Sequence, residues 1–472
     1  MKRTFVKEFQ GIGACDVYVS AVDAEKKNVG GCQFACELLD VVDEKRFSGK
    51  EGELFKADLI HEGKLVSCIF AGLGKESTPH SVEAAFACAV KEAKKQKPHT
   101  IGVFVNQAFP GKSVEAVLLA DDGFDAHKSE KADEISYVFY GVEEAQAREG
   151  VVLGEAVRTT RRLVNEPSNV MTPAQLATEA LLAGADSGFD VKVYGLPEIQ
   201  DLGMKAFLEV ARGSDREPKV IAMSYCGDPD SKKILGLVGK GLCYDSGGYS
   251  LKPSTGMETM HTDMGGAGAV IGAISAIAKM KLPINVTAVV AACENILSAH
   301  AYHPGDIIGS MAGKTIEINN TDAEGRVTLA DAVTFAIQEQ KVTHIIDVAT
   351  LTGAAITALG HEITAVVSDS DELWEKTAEA AKPSCEKVWR LPVDKVLGKA
   401  LDSKTADMRN SSGRAAGTIC GGMFIQKFTQ GLPWLHLDIA GTSYTDGTAV
   451  CPFGATGVGV RLLYHVAKNC AK

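Results

Sequence analysis

The chain has 472 residues, 45% of them hydrophobic and 23% charged, the balance of an ordinary globular protein long enough for two or three domains. Its formal net charge of −11 argues against sequence-independent nucleic-acid binding, which needs a basic surface. The longest apolar run, Gly266 to Ala278, is too short and too rich in Gly and Ala to span a bilayer, so no membrane association is expected.

Met1 to Glu8 turns charged again before an apolar stretch develops, so no secretory signal is read and a cytoplasmic location is expected. The twelve cysteines are scattered, Cys32 and Cys36 being the closest pair. Without an export signal they are expected to be reduced and mostly buried.

In chain order, residues 1–141 are predicted to form a small α/β unit. Strands are read at Cys15–Val22, Leu65–Leu73, Thr100–Val105 and Ile135–Tyr140, with a helix from Ser81 to Lys95 whose Ala, Cys and Val positions share one side. No Gly-rich phosphate loop, paired acids or nucleophile motif falls here, which points to a structural or assembly role. Residues 142–165 are predicted to be one long connecting helix, ended by Asn165-Glu166-Pro167 because proline stops a helix.

Residues 166–472 are predicted to be a larger α/β domain. Strands are read at Lys192–Gly195, Val220–Tyr225, Ile234–Gly239, Asn285–Ala292, Thr315–Asn319, His344–Ala349 and Trp434–Asp438. Helices are read at Pro173–Ser187, Gly265–Ala278, Leu329–Gln338 and Thr456–Ala467. The alternation predicts a mixed twisted sheet flanked by helices.

Two segments carry the chemistry. In Asn320-Thr321-Asp322-Ala323-Glu324-Gly325-Arg326, alternate side chains of an extended segment would put Asp322, Glu324 and Arg326 on one face, in the loop between a strand and a helix. Some eighty residues upstream, Lys240, Asp245 and Lys252 lie in a Gly-rich run after an apolar strand. Asp263 follows at the start of a helix, where a carboxylate is also a good cap. Four carboxylates in one pocket would repel one another, and two divalent cations would remove that conflict. An oxygen ligand set suits manganese or magnesium by hardness, with zinc remaining open. Lys240 beside two dications would lose its proton and ligate through nitrogen, while Lys252 and Arg326 read as positive groups facing developing negative charge.

Three other features read as structure. Gly309-Ser310-Met311-Ala312-Gly313-Lys314-Thr315 is one residue short of a phosphate loop and leads into a strand, so a turn is expected. His61-Glu62 and His361-Glu362 lack the second histidine of a zinc-protease helix. Cys243 is expected as a small core residue.

At Asn320 to Arg326, at the Lys240, Asp245, Lys252, Asp263 spacing, at Asn165-Glu166-Pro167-Ser168-Asn169 and at Leu437-Asp438-Ile439-Ala440-Gly441, the sequence resembles the leucyl aminopeptidase (cytosol aminopeptidase) family, peptidase family M17. The resemblance implies a macro-domain-like N-terminal unit and a metallopeptidase domain with two metal ions per subunit, zinc or manganese, with magnesium or cobalt as alternatives. Asp245 and Glu324 would bridge both ions, Lys240 and Asp263 would complete one site, and Asp322 the other. A water between the ions would attack the peptide carbonyl, Lys252 would stabilise the oxyanion, and Arg326 would hold a bicarbonate. The substrate would be a peptide with a free N-terminus, its first side chain facing Met260, Thr350, Gly353, Ala440 and Ser443. Leucine-like residues are the default, and the small Ser443 leaves longer or basic residues open.

The resemblance also implies a homohexamer, a dimer of trimers. His303 before Pro304-Gly305-Asp306, the Ile296 to Ala299 loop, and Tyr244 and Tyr249 depart from the family's usual residues without touching a ligand. Two other classes stay in view: a metal-dependent phosphoesterase, for which Ser246 would be the nearest nucleophile, and a non-catalytic hexameric binding protein.

Overall fold

The computed structural model describes residues 1–9, 11, 13–24, 39–40, 42–61 and 63–471. Cys32, Cys36 and Glu62 lie outside the described residues. The chain divides into two compact units: Met1–Arg158 with Asp446–Gly454, and Thr159–Thr445 with Ala455–Lys472. The division falls inside the helix Glu144–Asn165.

The first unit holds a six-stranded sheet. Its strands are β1 (Arg3–Val6), β2 (Val17–Asp23), β3 (Leu54–His61), β4 (Lys64–Gly74), β5 (Thr100–Phe104) and β6 (Ser136–Tyr140), in the order β1-β6-β5-β2-β4-β3. All neighbours are parallel except β3, which runs against β4 at the edge. Side chains alternate between faces. Val17, Val19, Ile101 and Val103 share a core with the helices Pro79–Lys94 and Pro110–Ala120, while Tyr18, Phe104 and Tyr140 pack together in a second cluster. β1 and β3 escape the sequence reading because their patterns are short or interrupted by charge.

The second unit is built on an eight-stranded sheet. In chain order the unit has β7 (Asp190–Tyr194), β8 (Lys219–Cys226), β9 (Ile234–Asp245), β10 (Asn285–Asn295), β11 (Ile307–Ile308), β12 (Ile316–Glu317), β13 (His344–Ala349), β14 (Ile363–Ser368), β15 (Lys387–Leu391), β16 (Met408–Arg409) and β17 (Trp434–Asp438). The large sheet runs β15-β14-β17-β13-β9-β10-β8-β7, and its four central strands, β17, β13, β9 and β10, are parallel. Their C-terminal ends therefore share one edge, where open α/β sheets bind ligands. β9 is buried on both faces, as a central parallel strand must be. Its even-numbered residues Val238 and Leu242 pack with Val327 and Leu329 of the helix Glu324–Gln338. Its odd-numbered Gly239 faces the helix Gly265–Lys279. There the backbones nearly touch: a Cβ on Gly266 would lie 2.0 Å from the Val348 carbonyl oxygen and 2.8 Å from the Lys240 nitrogen. Only glycine permits that approach.

The strand expected over Thr315–Asn319 needs correction. It is the two-residue β12, in a separate three-stranded sheet, β11-β12-β16. The turn before it serves no phosphate: the Met311 N–H donates to Asp331 Oδ1 at 2.8 Å. β14 and β15, absent from the sequence reading, extend the large sheet beyond β17.

On two of the central strands lies an ionisable pair with no access to solvent. His436 of β17 and Asp347 of β13 are register partners, with Nδ1 to Oδ1 at 2.6 Å, and Trp434 Nε1 donates to Asp347 Oδ2 at 2.6 Å. Burial opposes protonation of His436, but the Asp347 carboxylate prevails and raises its pKa above the ordinary imidazole value. A group with a raised folded pKa stabilises the fold fully below its unfolded pKa, and loses that contribution as pH rises through the folded value. We therefore expect the thermal midpoint, at fixed metal content, to fall as pH is raised above about 6.5. His436→Gln should flatten that slope. Equal slopes in the two proteins would remove His436 as its cause.

Candidate active site

The carboxylates gather at the C-terminal edge of the central strands, and each arrives by a different route. Lys240 lies on β9 beside Ala291 of β10, and as an even-numbered residue it points toward the helix Glu324–Gln338. Asp245 ends β9 opposite Asn295, the end of β10. Asp263 sits between the short 3-10 turn Met260–Thr262 and the helix Gly265–Lys279. Asp263 does not take the alternative role of helix cap: Met264 holds the N-cap position and makes no side-chain cap. The Asp263 carboxylate turns instead to the strands.

Asp322 and Glu324 come from the loop after β12. Here the expected extended face is also corrected. The helix begins at Glu324, so Glu324 and Arg326 occupy its first turn and do not alternate with Asp322 along a strand. Convergence comes from that turn of helix. Asp245, Asp322 and Glu324 each offer an oxygen within 4.8 Å of the others.

Two lysines thread the acids. Lys240 Nζ lies 2.8 Å from Asp263 Oδ2 and 2.8 Å from Glu324 Oε1, and donates to the Thr350 carbonyl at 2.9 Å. Lys252 Nζ lies 2.7 Å from Asp245 Oδ2 and also pairs with Asp322 Oδ1. The lysine stem leaves no room at Gly325, where a Cβ would lie 2.4 Å from Lys240 Cε and 2.6 Å from its Nζ.

Burial raises the Asp245 pKa, with the nearby Glu324 and Asp263 carboxylates adding to it. Asp263 is raised too, by burial against the pull of Lys240, and Asp322 by burial first and Glu324 second. Burial works against the charge of Glu324 as well, but Lys240 and Lys252 overrule it and keep its pKa below the usual value. For both lysines burial opposes the charge and the surrounding carboxylates raise the pKa. Acids in this state are a costly cluster for two lysines alone to neutralise.

The fit to cations follows from this donor set. Four carboxylates converge, three of them buried, and Glu324 Oε2 is buried with no hydrogen bond. Such an oxygen is what a hard divalent ion would take. The residues that would hold the ions are Lys240, Asp245, Asp263, Asp322 and Glu324.

Arg326 stands apart from these ions' residues. It is buried, its Nη1 donates to the Asn410 carbonyl at 3.2 Å, and its Nε has no partner. Burial lowers its pKa, against the pull of Glu324 and Asp438.

Of the side chains expected to line a specificity pocket, Thr350 and Ser443 come together. The Thr350 methyl, Ile439 and Ser443 would lie 3.5, 3.6 and 3.7 Å from a Cβ on Gly265. Met260 is in the turn directly before Asp263, Ala440 follows β17, and Gly353 is exposed at the start of the helix Gly353–Leu359. Thr350 also makes a contact that its sequence position did not reveal: its hydroxyl donates to Asp263 Oδ1 at 2.7 Å.

Other residues of the site were also missed. Asn295 Nδ2 donates to Asp245 Oδ1 at 2.7 Å and to the Thr321 carbonyl at 3.0 Å. Thr321 clasps the loop after β9, its hydroxyl donating to the Gly247 carbonyl at 2.6 Å and accepting the Ser250 N–H at 2.7 Å. Asn410 holds the Asn320 carbonyl at 2.7 Å. The available signal was position: a polar side chain where an apolar strand ends. Cys243 is fully buried, as expected for a core residue. Ser246, the nearest nucleophile for phosphoryl transfer, donates to the Asn295 carbonyl at 2.8 Å.

Among the described residues no helix is long and apolar enough to cross a membrane. The profile of the cytosol aminopeptidase family's catalytic domain matches residues 158–464, and that of its N-terminal domain matches residues 26–131. A probable cytosol aminopeptidase of Clostridium perfringens (strain 13 / Type A) is 45% identical over 470 residues, covering 95% of each chain. One from Clostridium tetani (strain Massachusetts / E88) is 43% identical over 444 residues, covering 89% of this chain and 92% of its own. Among solved structures, the bottromycin maturation enzyme BotP in complex with Mn superposes with a TM-score of 0.87 at 30% identity, over 97% of this chain and 100% of that one. A mutant of tomato leucine aminopeptidase gives a TM-score of 0.87 at 32% identity, over 99% and 96%.

Proposed function

The chain belongs to the cytosol aminopeptidase family, and from that membership we propose that it removes N-terminal amino acids from peptides with the aid of two divalent metal ions. The observation that carries this reading is the convergence of Asp245, Asp322 and Glu324 within 4.8 Å, with Lys240 and Asp263 joined to the same cluster. Bound there, divalent ions would supply a water acidic enough to attack a peptide carbonyl at neutral pH. Asp245, Glu324, Lys240, Asp263 and Asp322 would hold the ions. Manganese and zinc are the ions we favour; manganese is named with BotP, a structure of the same fold.

The lysines do the chain's own work. Lys252 is partly exposed, pairs with two acids, and would turn toward the oxyanion once those charges are neutralised. Arg326, buried and with an unpartnered Nε, is suited to a small anion, and we propose bicarbonate as the proton carrier there. The substrate's first side chain would enter beside Met260, Thr350, Gly353, Ala440 and Ser443, and a leucine-like residue is the expected occupant. Cytoplasmic residence and a homohexamer of paired trimers belong to the same proposal and rest on the family resemblance.

A single assay tests the reading. The protein is stripped with a chelator and resupplied with Mn or Zn, and release of leucine from Leu-Gly is followed. We expect activity to vanish with the metal and return with it. Release that ignores the chelator would overturn the metallopeptidase reading, and phosphate-ester hydrolysis in its place would favour the phosphoesterase.

A further inference from the structure

A buried carboxylate one step behind the site organises it without touching it. Asp438, the last residue of β17, pairs in register with Ala349, the last residue of β13. It is 1% exposed. Its Oδ1 accepts the N–H groups of Leu351 at 3.2 Å, Thr352 at 3.4 Å and Ala440 at 3.2 Å. Its Oδ2 accepts the Thr352 hydroxyl at 2.6 Å. The chain leaving β13 is thus folded over the end of β17 by one side chain, beside the Ile439 N–H to Ala349 carbonyl bond of 2.8 Å.

That same stretch carries Thr350. The Thr350 carbonyl accepts Lys240 Nζ at 2.9 Å, and its hydroxyl donates to Asp263 Oδ1 at 2.7 Å. Two of the five groups assigned to the ions are therefore aimed by one residue, and that residue is flanked by the amides Asp438 holds. An untethered loop would sample several backbone conformations, and fixing one of them costs entropy. A carboxylate accepting several N–H groups removes that freedom before any ion arrives.

We propose that Asp438 is a positioning residue: through the Leu351 and Thr352 amides it presents Thr350 to Lys240 and Asp263, and so sets the affinity for the ion those two would hold. This rests on reading the acids as a metal site. Outer partners of metal ligands commonly change metal affinity by about 10–100-fold when removed.

The test is Mn2+ binding to the metal-stripped full chain, read by competition with a chelating dye, so that no turnover is needed. Asp438→Ala should weaken the weaker or stronger of the two binding events by about 10–100-fold and leave the other within about threefold. In turnover, it should raise the Mn2+ concentration needed for half activity, with KM for peptide unchanged and kcat largely restored at saturating Mn2+. Asp438→Asn keeps one accepting oxygen for the three amides and should lose less than Asp438→Ala. Thr350→Val, which removes the hydroxyl on Asp263 and leaves Asp438 intact, should shift the same binding event and serves if Asp438→Ala does not fold. Ser368→Ala, which removes a 2.6 Å hydrogen bond to the Trp434 carbonyl in the same sheet, should lower the thermal midpoint and leave Mn2+ binding alone. Unchanged Mn2+ binding in Asp438→Ala, or in Thr350→Val where the first does not fold, would overturn the inference. An equal shift in Ser368→Ala would also do so, reducing the effect to general destabilisation. A parent protein that binds no Mn2+ would overturn the metal reading itself and the inference with it.

Discussion

Glu324→Gln is expected to lower kcat by at least about a thousandfold, about 4 kcal/mol of barrier, while the protein still folds. The change is isosteric and removes one charge from the centre of the cluster. Two effects on stability oppose each other. Lys240 loses one of its two carboxylate partners at 2.8 Å, which is unfavourable for a buried ammonium. Asp245, Asp263 and Asp322 lose a like charge that raises each of their pKa values, which is favourable. The thermal midpoint should therefore move far less than the rate. Steady-state rates on Leu-Gly across a range of Mn2+ concentrations, with thermal unfolding beside them, separate the outcomes. Retention of more than a tenth of the parent's kcat would remove Glu324 from the ligand set.

Gly325→Ala should break the site from a position that carries no functional group. On helix propensity alone the substitution favours folding, by up to about 1 kcal/mol. Yet the added carbon would meet Lys240 Cε at 2.4 Å and Nζ at 2.6 Å. Real Cβ contacts do not come so close, so the lysine must withdraw from Glu324, Asp263 and the Thr350 carbonyl together. We expect metal affinity to fall by about 10–100-fold and turnover with it; helix content should hold, while the thermal midpoint falls because a buried ammonium loses its partners. An active, normally metallated Gly325→Ala would mean that Lys240 has another route to its partners.

Much of the site was legible because its chemistry clusters in the sequence. Asp245 and Lys240 were readable from an apolar strand running into a Gly-rich end, and Asp322 and Glu324 from their spacing. What was not legible depends on neighbours far away in the chain. For Asp263, expected among the ligands, the hidden partner was Thr350, which follows β13 and donates its hydroxyl to the carboxylate. The Asp322 to Arg326 segment looked extended because the strand before it was read as longer than two residues and the helix after it as beginning at Leu329. Asn295 and Asp438 end apolar strands, where a polar residue ordinarily marks a turn, and only the strand order shows what they touch. β14 and β15 escaped for a similar reason: short runs gain their burial from a sheet the local sequence cannot announce.

The place of β17 has a consequence for how the chain is made. In space it lies between β13 and β14, but it is synthesised after both. From Ala349 to Asp438 is about 90 residues, and at about 5–20 residues per second the nascent chain spends on the order of 5–20 s with β13 lacking its neighbour. For that interval an apolar strand offers an unpaired edge, the sort of edge that recruits other chains. The chain is therefore most exposed to misassembly late in its synthesis, and slowing translation between β14 and β17 should lower the yield of folded protein more than an equal delay after β17 has emerged.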